Sequence, residues 1–163
     1  MKHKQKGFSL IELLIVVAII LVIAAVAIPN LLRSRMSANE ASAVASMRTI
    51  VTSEIVYSST YTAGFSANLP SLSDGGAASN CAPPAVPVAT SACLIDPLLA
   101  SGGKSGYLFT YATTGGSGVN NTYTLNADPV SSGVSGQRHF YTDDTDVLRV
   151  NVTAVASASD PAL

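Results

Sequence analysis

The chain has 163 residues, of which 48% are hydrophobic and only 12% are charged, and its formal net charge is −1. A nearly neutral chain without a basic patch has little to attract a phosphate backbone, so its folded part is not expected to bind nucleic acid. The part after residue 60, about 100 residues, is long enough for one modest hydrophobic core but not for two.

The N-terminus combines a short basic leader with a long apolar run. Three lysines precede Gly7, and residues 8–28 contain a single charged side chain, Glu12. As a helix this run measures about 31 Å, enough to cross a bilayer core, and the lysines predict that residues 1–7 stay in the cytoplasm. A carboxylate inside a membrane helix costs free energy and therefore indicates a function. Its nearest candidate partner is the α-amino group that Phe8 acquires if the chain is cut after Gly7.

The segment Lys6-Gly7-Phe8-Ser9-Leu10-Ile11-Glu12-Leu13 resembles the N-terminal signal of type IV pilins and of the related pseudopilins of type II secretion. The resemblance extends from Lys6 to about Pro29, a residue that also fits the pilin pattern. It implies that a prepilin peptidase cuts after Gly7 and methylates the new N-terminal Phe8. It also implies that Glu12 neutralises the N-terminal amine of a neighbouring subunit during filament assembly.

Two other interpretations of this N-terminus remain open, an ordinary cleaved secretory signal and a plain membrane anchor. The apolar run is long for a signal peptide, and a glutamate is a poor choice inside one. The resemblance implies instead a subunit held in the bacterial inner membrane with its head in the periplasm. An inner-membrane platform then assembles it with copies of itself into an extracellular pilus or a periplasmic pseudopilus.

Residues 29–60 are predicted to continue the helix as an amphipathic segment, because apolar side chains recur at helical spacing. Pro29 is expected to kink this helix rather than end it. The apolar stripe comprises Val44, Met47, Val51 and Ile55. The opposite, polar face comprises Ser37, Asn39, Glu40, Ser46, Arg48 and Glu54. Three aromatic residues are expected to close the end of the helix against the head: Tyr57, Tyr61 and Phe65.

Residues 61–106 are predicted to be a connecting loop with helical turns at 69–72 and 96–99. Cys81 and Cys93 both follow the membrane segment, and an even number of cysteines in an oxidising compartment favours a disulfide. A staple across such a short loop stabilises the fold by about 3 kcal/mol. Two free thiols, or a thiol with an outside partner, are the alternative.

Residues 107–163 are predicted to form an antiparallel sheet, because runs of alternating large and small side chains are separated by turn residues. The predicted strands are 107–112, 122–127, 138–142 and 147–152, with a glycine-rich link at 115–118. One face of this sheet is expected to pack on the helix. The fold class is therefore α+β, in which a long N-terminal helix, membrane-spanning in its first half, packs on a small antiparallel β head to give a pilin-like ladle.

Two polar features of the head are candidate sites. Asp143, Asp144 and Asp146 favour a solvated hairpin turn, with a calcium site as the alternative because some similar pseudopilins hold calcium in the head. His139 has no nucleophile motif around it, so catalysis is not predicted. Asn120 and Asn151 each begin a formal glycosylation sequon.

The sequence thus predicts a structural subunit of a type IV pilus, which is not an enzyme and uses no cofactor. Its expected partners are copies of itself, the prepilin peptidase, the assembly platform and the lipid bilayer. A type II secretion pseudopilin shares the whole N-terminal signal and is the first alternative. The second alternative is a membrane-anchored periplasmic binding module that does not polymerise.

Overall fold

The computed structural model describes residues 8–116 and 119–163, so Gly7 and the rest of the leader lie outside the described residues. The chain divides into two units, one ending at Arg35 and the other comprising Met36–Leu163, which we call the globular unit. The helix α1 runs without interruption over Leu10–Thr60 and contributes to both units. Pro29 lies inside this helix, as predicted.

The first half of α1 presents its apolar side chains to the outside on every face. Seventeen large hydrophobic residues between Phe8 and Leu32 are at least 47% exposed, and the most apolar 18-residue window of α1 has a mean hydropathy of 3.3 with none of it buried. The helix is long and apolar enough to cross a membrane. A segment that is hydrophobic all round requires lipid or other protein around it.

The second half of α1 packs in the core of the globular unit, but on a face different from the one predicted. Met47 and Val51 are buried as expected, whereas Val44 is half-buried and Ile55 is 51% exposed. The buried face consists instead of Glu40, Ala43, Ser46, Met47, Ile50, Val51, Ser53, Glu54 and Tyr57. The predicted buried stripe was therefore partly wrong. The prediction assigned Glu40 and Glu54 to the solvent-exposed face, whereas both carboxylates accept hydrogen bonds inside the fold.

The connection after α1 contains both of the predicted helical turns. The helix α2, Leu69–Leu72, begins where the Asn68 side chain accepts a hydrogen bond from the backbone N–H of Ser71. The helix α3, Pro97–Ala100, begins in the same way, with Asp96 accepting from the backbone N–H of Leu99. A short 3₁₀ helix, Ala78–Cys81, lies between them.

Among the described residues, five antiparallel strands follow one another in chain order across a single sheet. They are β1 (Gly103–Lys104), β2 (Tyr107–Gly116), β3 (Val119–Pro129), β4 (His139–Asp143) and β5 (Arg149–Asn151). The predicted α+β fold class, a long apolar helix packed against an antiparallel sheet, is confirmed. Strands β2 and β3 are longer than predicted, because their ladder pairs Tyr107 with Pro129 at one end and Gly116 with Val119 at the other.

The core lies between the buried face of α1, the helices α2 and α3, and one face of the sheet. The strands alternate as a half-buried sheet requires, with Tyr107 and Phe109 of β2 facing inward and Leu108 outward. Leu125, Tyr123 and Phe140 are buried on the same side of the neighbouring strands. This packing fixes the positions of the two buried glutamates described below.

Candidate assembly site and the polar groups of the globular unit

The N-terminus of α1 places Glu12 one helical turn after the start of the described chain. Its Oε2 accepts a hydrogen bond of 2.9 Å from the backbone N–H of Ser9, and the N–H of Leu13 donates to the Ser9 carbonyl at 3.3 Å. A Ser followed three residues later by Glu is the capping-box pattern, in which the glutamate satisfies an otherwise unpaired amide. Glu12 therefore has a local role in starting the helix.

The capping contact leaves half of the carboxylate available. Among the described residues, no group donates a hydrogen bond to Oε1 of Glu12. Phe8, whose side chain is 84% exposed, lies four residues before it. A cation brought by another molecule can thus reach the second oxygen of Glu12 while the first keeps its contact with Ser9.

Pro29 lies in the exposed, apolar part of α1. Its ring removes one N–H donor, so the carbonyl of Ala25 loses its usual intrahelical partner. The side chain itself is exposed.

Cys81 and Cys93 form a disulfide across a separation of 12 residues. Backbone hydrogen bonds from Cys93 to the Ser73 carbonyl and from Leu94 to the Leu72 carbonyl hold the second cysteine beside the end of α2. The staple and these bonds together attach the proline-rich loop between the cysteines to the globular unit. Val86, near the middle of that loop, remains 78% exposed.

Glu54 is a fully buried carboxylate, although its place on the polar face of the predicted helix assigns it to the solvent. Its oxygens accept hydrogen bonds from the Ser66 backbone N–H at 2.9 Å, from the Ser66 hydroxyl, and from the Tyr111 hydroxyl at 2.6 Å. Burial, and then the neighbouring carboxylate, raise the pKa of the Tyr111 phenol, so its hydroxyl stays protonated and keeps donating. The network ties α1 to β2 and to the chain that leaves the helix.

Glu40 makes a second polar connection between α1 and the sheet. Its Oε1 accepts from the backbone N–H groups of Gln137 and Arg138, and its Oε2 accepts from Arg138 Nε at 2.8 Å. Burial by itself raises the pKa of the Glu40 carboxyl, but these hydrogen bonds and the arginine charge outweigh burial, and the pKa lies below its usual value. Glu40 therefore holds the chain entering β4 against the helix.

The aspartates 143, 144 and 146 lie at the end of β4 and in the connection to β5, as predicted. Asp143 accepts hydrogen bonds from the Thr145 backbone N–H and hydroxyl and from the Tyr141 hydroxyl. Asp146, at φ 61°, accepts from the Tyr123 hydroxyl at 3.0 Å. Within residues 8–116 and 119–163, no group of three or more His, Cys, Asp or Glu side chains is arranged to hold a metal ion.

The polar side chains of His139, Asn120 and Asn151 have partners within the fold. His139 Nδ1 lies 2.6 Å from Asp128 Oδ1 across neighbouring strands. The side-chain amide of Asn120 donates to the Phe65 carbonyl, and that of Asn151 donates to Asp160. Each of these amide nitrogens therefore donates one hydrogen bond within the fold.

The aromatic residues at the end of α1 pack on the core. The rings of Tyr57 and Tyr61 are 4.7 Å apart, and the ring of Phe65 lies 4.8 Å from that of Tyr123. The Tyr57 hydroxyl donates to the Ala89 carbonyl. These contacts close the helix against the sheet and the stapled loop.

Comparison with known proteins bears on the N-terminal segment. The family described as "Prokaryotic N-terminal methylation motif" matches residues 2–28. A curated protein, "Type IV wide pilus major component PilA4" of Thermus thermophilus, is 63% identical over 38 residues, which make up 23% of this chain and 29% of that protein. The match thus spans less than a third of the relative's length. No solved structure matches the chain.

These matches cover the residues that carried the resemblance found in the sequence. The motif includes Gly7, Phe8 and Glu12, and it ends just before Pro29. The prediction of a prepilin-type N-terminus is confirmed: the chain carries the prokaryotic N-terminal methylation motif, in a segment similar to that of a type IV pilus subunit.

Proposed function

We propose that the protein is the structural subunit of a type IV pilus, processed at Gly7 and assembled through α1. The observation that carries this proposal is the exposed apolar surface of α1 before residue 33, where Glu12 is the only charged residue of the helix. Burying one large aliphatic or aromatic side chain gains about 1.5–3 kcal/mol, so this surface makes a soluble monomer unfavourable. Lipid covers it in the precursor, and copies of the same helix cover it in the filament.

The methylation motif and the free Oε1 of Glu12 support the assembly step. Cleavage after Gly7 creates an α-amino group at Phe8, and the peptidase methylates it. In the apolar interior of the filament, this cation and the Glu12 carboxylate of a neighbouring copy each need an opposite charge, since an unpaired buried charge is strongly unfavourable. The pairing acts on assembly and involves no chemistry at the carboxylate.

The first test is the N-terminal mass and the abundance of the protein in filaments sheared from the cell surface. We expect an abundant subunit that begins at methylated Phe8. A processed subunit confined to the membrane fraction would indicate a type II secretion pseudopilin or a minor subunit. An unprocessed chain would overturn the proposal and favour a membrane-anchored periplasmic module.

Replacement of Glu12 separates charge pairing from helix capping. Glu12→Gln keeps an oxygen that can accept from the Ser9 N–H but removes the charge, whereas Glu12→Ala removes both. We expect both variants to be inserted and cleaved normally and to give at least tenfold fewer sheared filaments. Normal filaments from Glu12→Gln, with loss only in Glu12→Ala, would assign Glu12 to capping alone.

A further inference from the structure

The two edges of the sheet are covered to different extents. At one edge, the last residues of the chain run beside β5, where the Val150 N–H donates to the Pro161 carbonyl and the Leu163 N–H donates to the Leu148 carbonyl. At the other edge, β1 is only two residues long and pairs with the first two residues of β2. Most of β2 therefore forms an open edge, and the unpaired backbone groups of such an edge can bind another strand.

The open edge comprises residues 110–114 of β2. The last main-chain hydrogen bond on this side joins the Phe109 N–H to the Gly102 carbonyl at 2.7 Å. Backbone groups alternate between the two sides of a strand, so Tyr111 and Thr113 direct their N–H and C=O groups to the same side as Phe109. None of the residues that the structure describes bonds to these groups. The edge thus offers two donors and two acceptors in the pattern that an antiparallel strand requires.

The side chains along this edge do not prevent pairing with another strand. Natural sheets protect their edges with lysine, proline, a bulge or a covering segment. Residues 105–127 contain no charged residue and no proline, and the irregularity in the ladder between β2 and β3 begins only after Thr114. Thr110, Ala112 and Thr114 are small, exposed side chains on the outer face of the sheet. A second copy of this edge therefore meets no charge repulsion.

A groove of about 380 Å³ lies beside the open edge. It is enclosed by the start of α2, the end of α3 and residues 108–111 of β2, and none of its lining residues is charged. When a second β2 pairs antiparallel with the first and is centred on Ala112, its Gly115 lies level with Phe109, beside this groove. Glycine has no side chain, so the second strand can approach α2 and α3 closely at this point.

We propose that the open edge of β2 pairs antiparallel with the same edge of a second copy, which joins the two sheets into one. The Tyr111 N–H donates to the Thr113 carbonyl of the second copy, and the Thr113 N–H of that copy donates to the Tyr111 carbonyl. Two-fold symmetry repeats both bonds and places Ala112 beside its own equivalent on the axis. The inference rests on the proposed function, since it concerns copies that are already assembled in filaments.

The paired copies belong to two neighbouring filaments. The two-fold axis of an antiparallel strand pair is perpendicular to the sheet, so it reverses the direction of the helix that packs on the sheet. Subunits that leave one membrane all point the same way within their filament. The contact therefore joins filaments side by side and does not build them.

The size of the contact explains why filaments are needed. Protein interfaces carry about one hydrogen bond per 100–200 Å², so the four bonds of this pairing correspond to about 400–800 Å². Stable complexes bury at least about 1,200 Å². A single pair of subunits is therefore weakly bound, whereas many pairs along two filaments hold them together by multivalency.

Charges placed on the two-fold axis test this contact. Ala112 is exposed, and its backbone groups face β3, so a substitution leaves the hydrogen-bonding groups of the edge in place. Ala112→Lys and Ala112→Glu each bring two like charges opposite one another, whereas a mixture of the two kinds of filament brings opposite charges together. Val152→Lys, a change at a 57% exposed residue just beyond β5, is the control.

We expect electron micrographs of sheared wild-type filaments to show filaments joined side by side. Each Ala112 variant should form as many filaments as the wild type, with at least fivefold fewer of them joined, and mixing the two variants should restore at least half of the joined fraction. Val152→Lys should match the wild type.

Four results would overturn the inference and leave the proposed function intact: wild-type filaments that never join, normal joining in either Ala112 variant, no recovery on mixing, or loss of the filaments themselves in both variants. The last result would assign the edge to contacts within one filament. Absence of filaments in the wild type would refute the proposed function and, with it, this inference.

A cysteine on the axis gives a readout that does not depend on charge. Opposed residues of a non-hydrogen-bonded antiparallel pair have Cα atoms about 4.5 Å apart, a distance that a disulfide spans. Mild oxidation of Ala112→Cys filaments should therefore give disulfide-linked dimers, and Val152→Cys filaments should give none. The native cysteines are already joined to each other. Joined Ala112→Cys filaments without linked dimers would also overturn the proposed pairing.

Discussion

Glu54 has no exposed surface and no cation among its hydrogen-bonding partners, yet it lies in the centre of the globular unit. A buried carboxylate is tolerated only when donors replace its lost hydration. Ser66 and Tyr111 supply those donors from two different parts of the chain. Removal of one donor therefore costs more than the hydrogen bond contributes net, because the desolvation cost of the buried carboxylate remains.

Tyr111→Phe should therefore lower the free energy of unfolding by about 1.5–3 kcal/mol, the value of a hydrogen bond to a charged group. Tyr141→Phe is the matched control, since its hydroxyl donates to Asp143 at 3.2 Å near the surface and should cost less than about 1 kcal/mol. Urea unfolding of the full chain in detergent, followed by circular dichroism, measures both. An equal decrease in the free energy of unfolding in the two variants would show that the hydrogen bond to Glu54 contributes no more than a surface hydrogen bond.

At the scale of elements, Glu40 joins α1 to the start of β4, and this junction should depend on pH. The folded-state pKa lies below the usual 4.5, so the full stabilisation is present above pH 4.5 and is lost as the pH falls through the lower, folded value. Glu40→Gln should destabilise the protein at pH 7, and the difference from the wild type should shrink below pH 4.5. Unfolding curves at pH 7, 5, 4 and 3 measure it; a difference that does not change with pH would show that Glu40 acts through packing alone.

The elements themselves were largely predictable, and the exceptions have a common cause. Local periodicity and capping residues predict the end of α1 near Thr60, the turns at Leu69 and Pro97, and the strand pattern. The buried face of α1 was not predictable. A glutamate in a helical pattern is assigned to the solvent, because the sequence does not show that a donor such as the Ser66 amide contacts it in the fold. Likewise, the glycines at 115 and 116 suggest a turn, but pairing between β2 and β3 extends the strands through them.

At the scale of the whole molecule, the hydrophobic core of the described residues lies entirely after Met36, whereas the continuous run of exposed apolar residues on the helix lies before Arg35. A fragment comprising Met36–Leu163, produced in an oxidising compartment, should therefore be soluble without detergent and should unfold cooperatively. Size-exclusion chromatography and thermal unfolding measure this. A shorter fragment beginning at Thr52 lacks Glu40, Met47 and Ile50 and should show no cooperative transition. Aggregation of the longer fragment would contradict the division of the chain into two units at Met36.

The sequence by itself determined the N-terminal features of this protein. They are a continuous apolar run, a glycine before Phe8 and a single glutamate, Glu12. All of them lie within one short contiguous segment, so no tertiary contact is needed to recognise them. The α+β class also followed from periodicity, and the even number of cysteines favoured the disulfide that joins Cys81 to Cys93.

Only the tertiary structure decided which face of α1 is buried, which carboxylates are satisfied inside the fold and which charges remain unpaired. These properties depend on residues far apart in sequence, such as Glu40 with Arg138 and Glu54 with Tyr111. Hydrogen-bond satisfaction is a property of the packed core, and a local pattern of apolar and polar residues does not contain it.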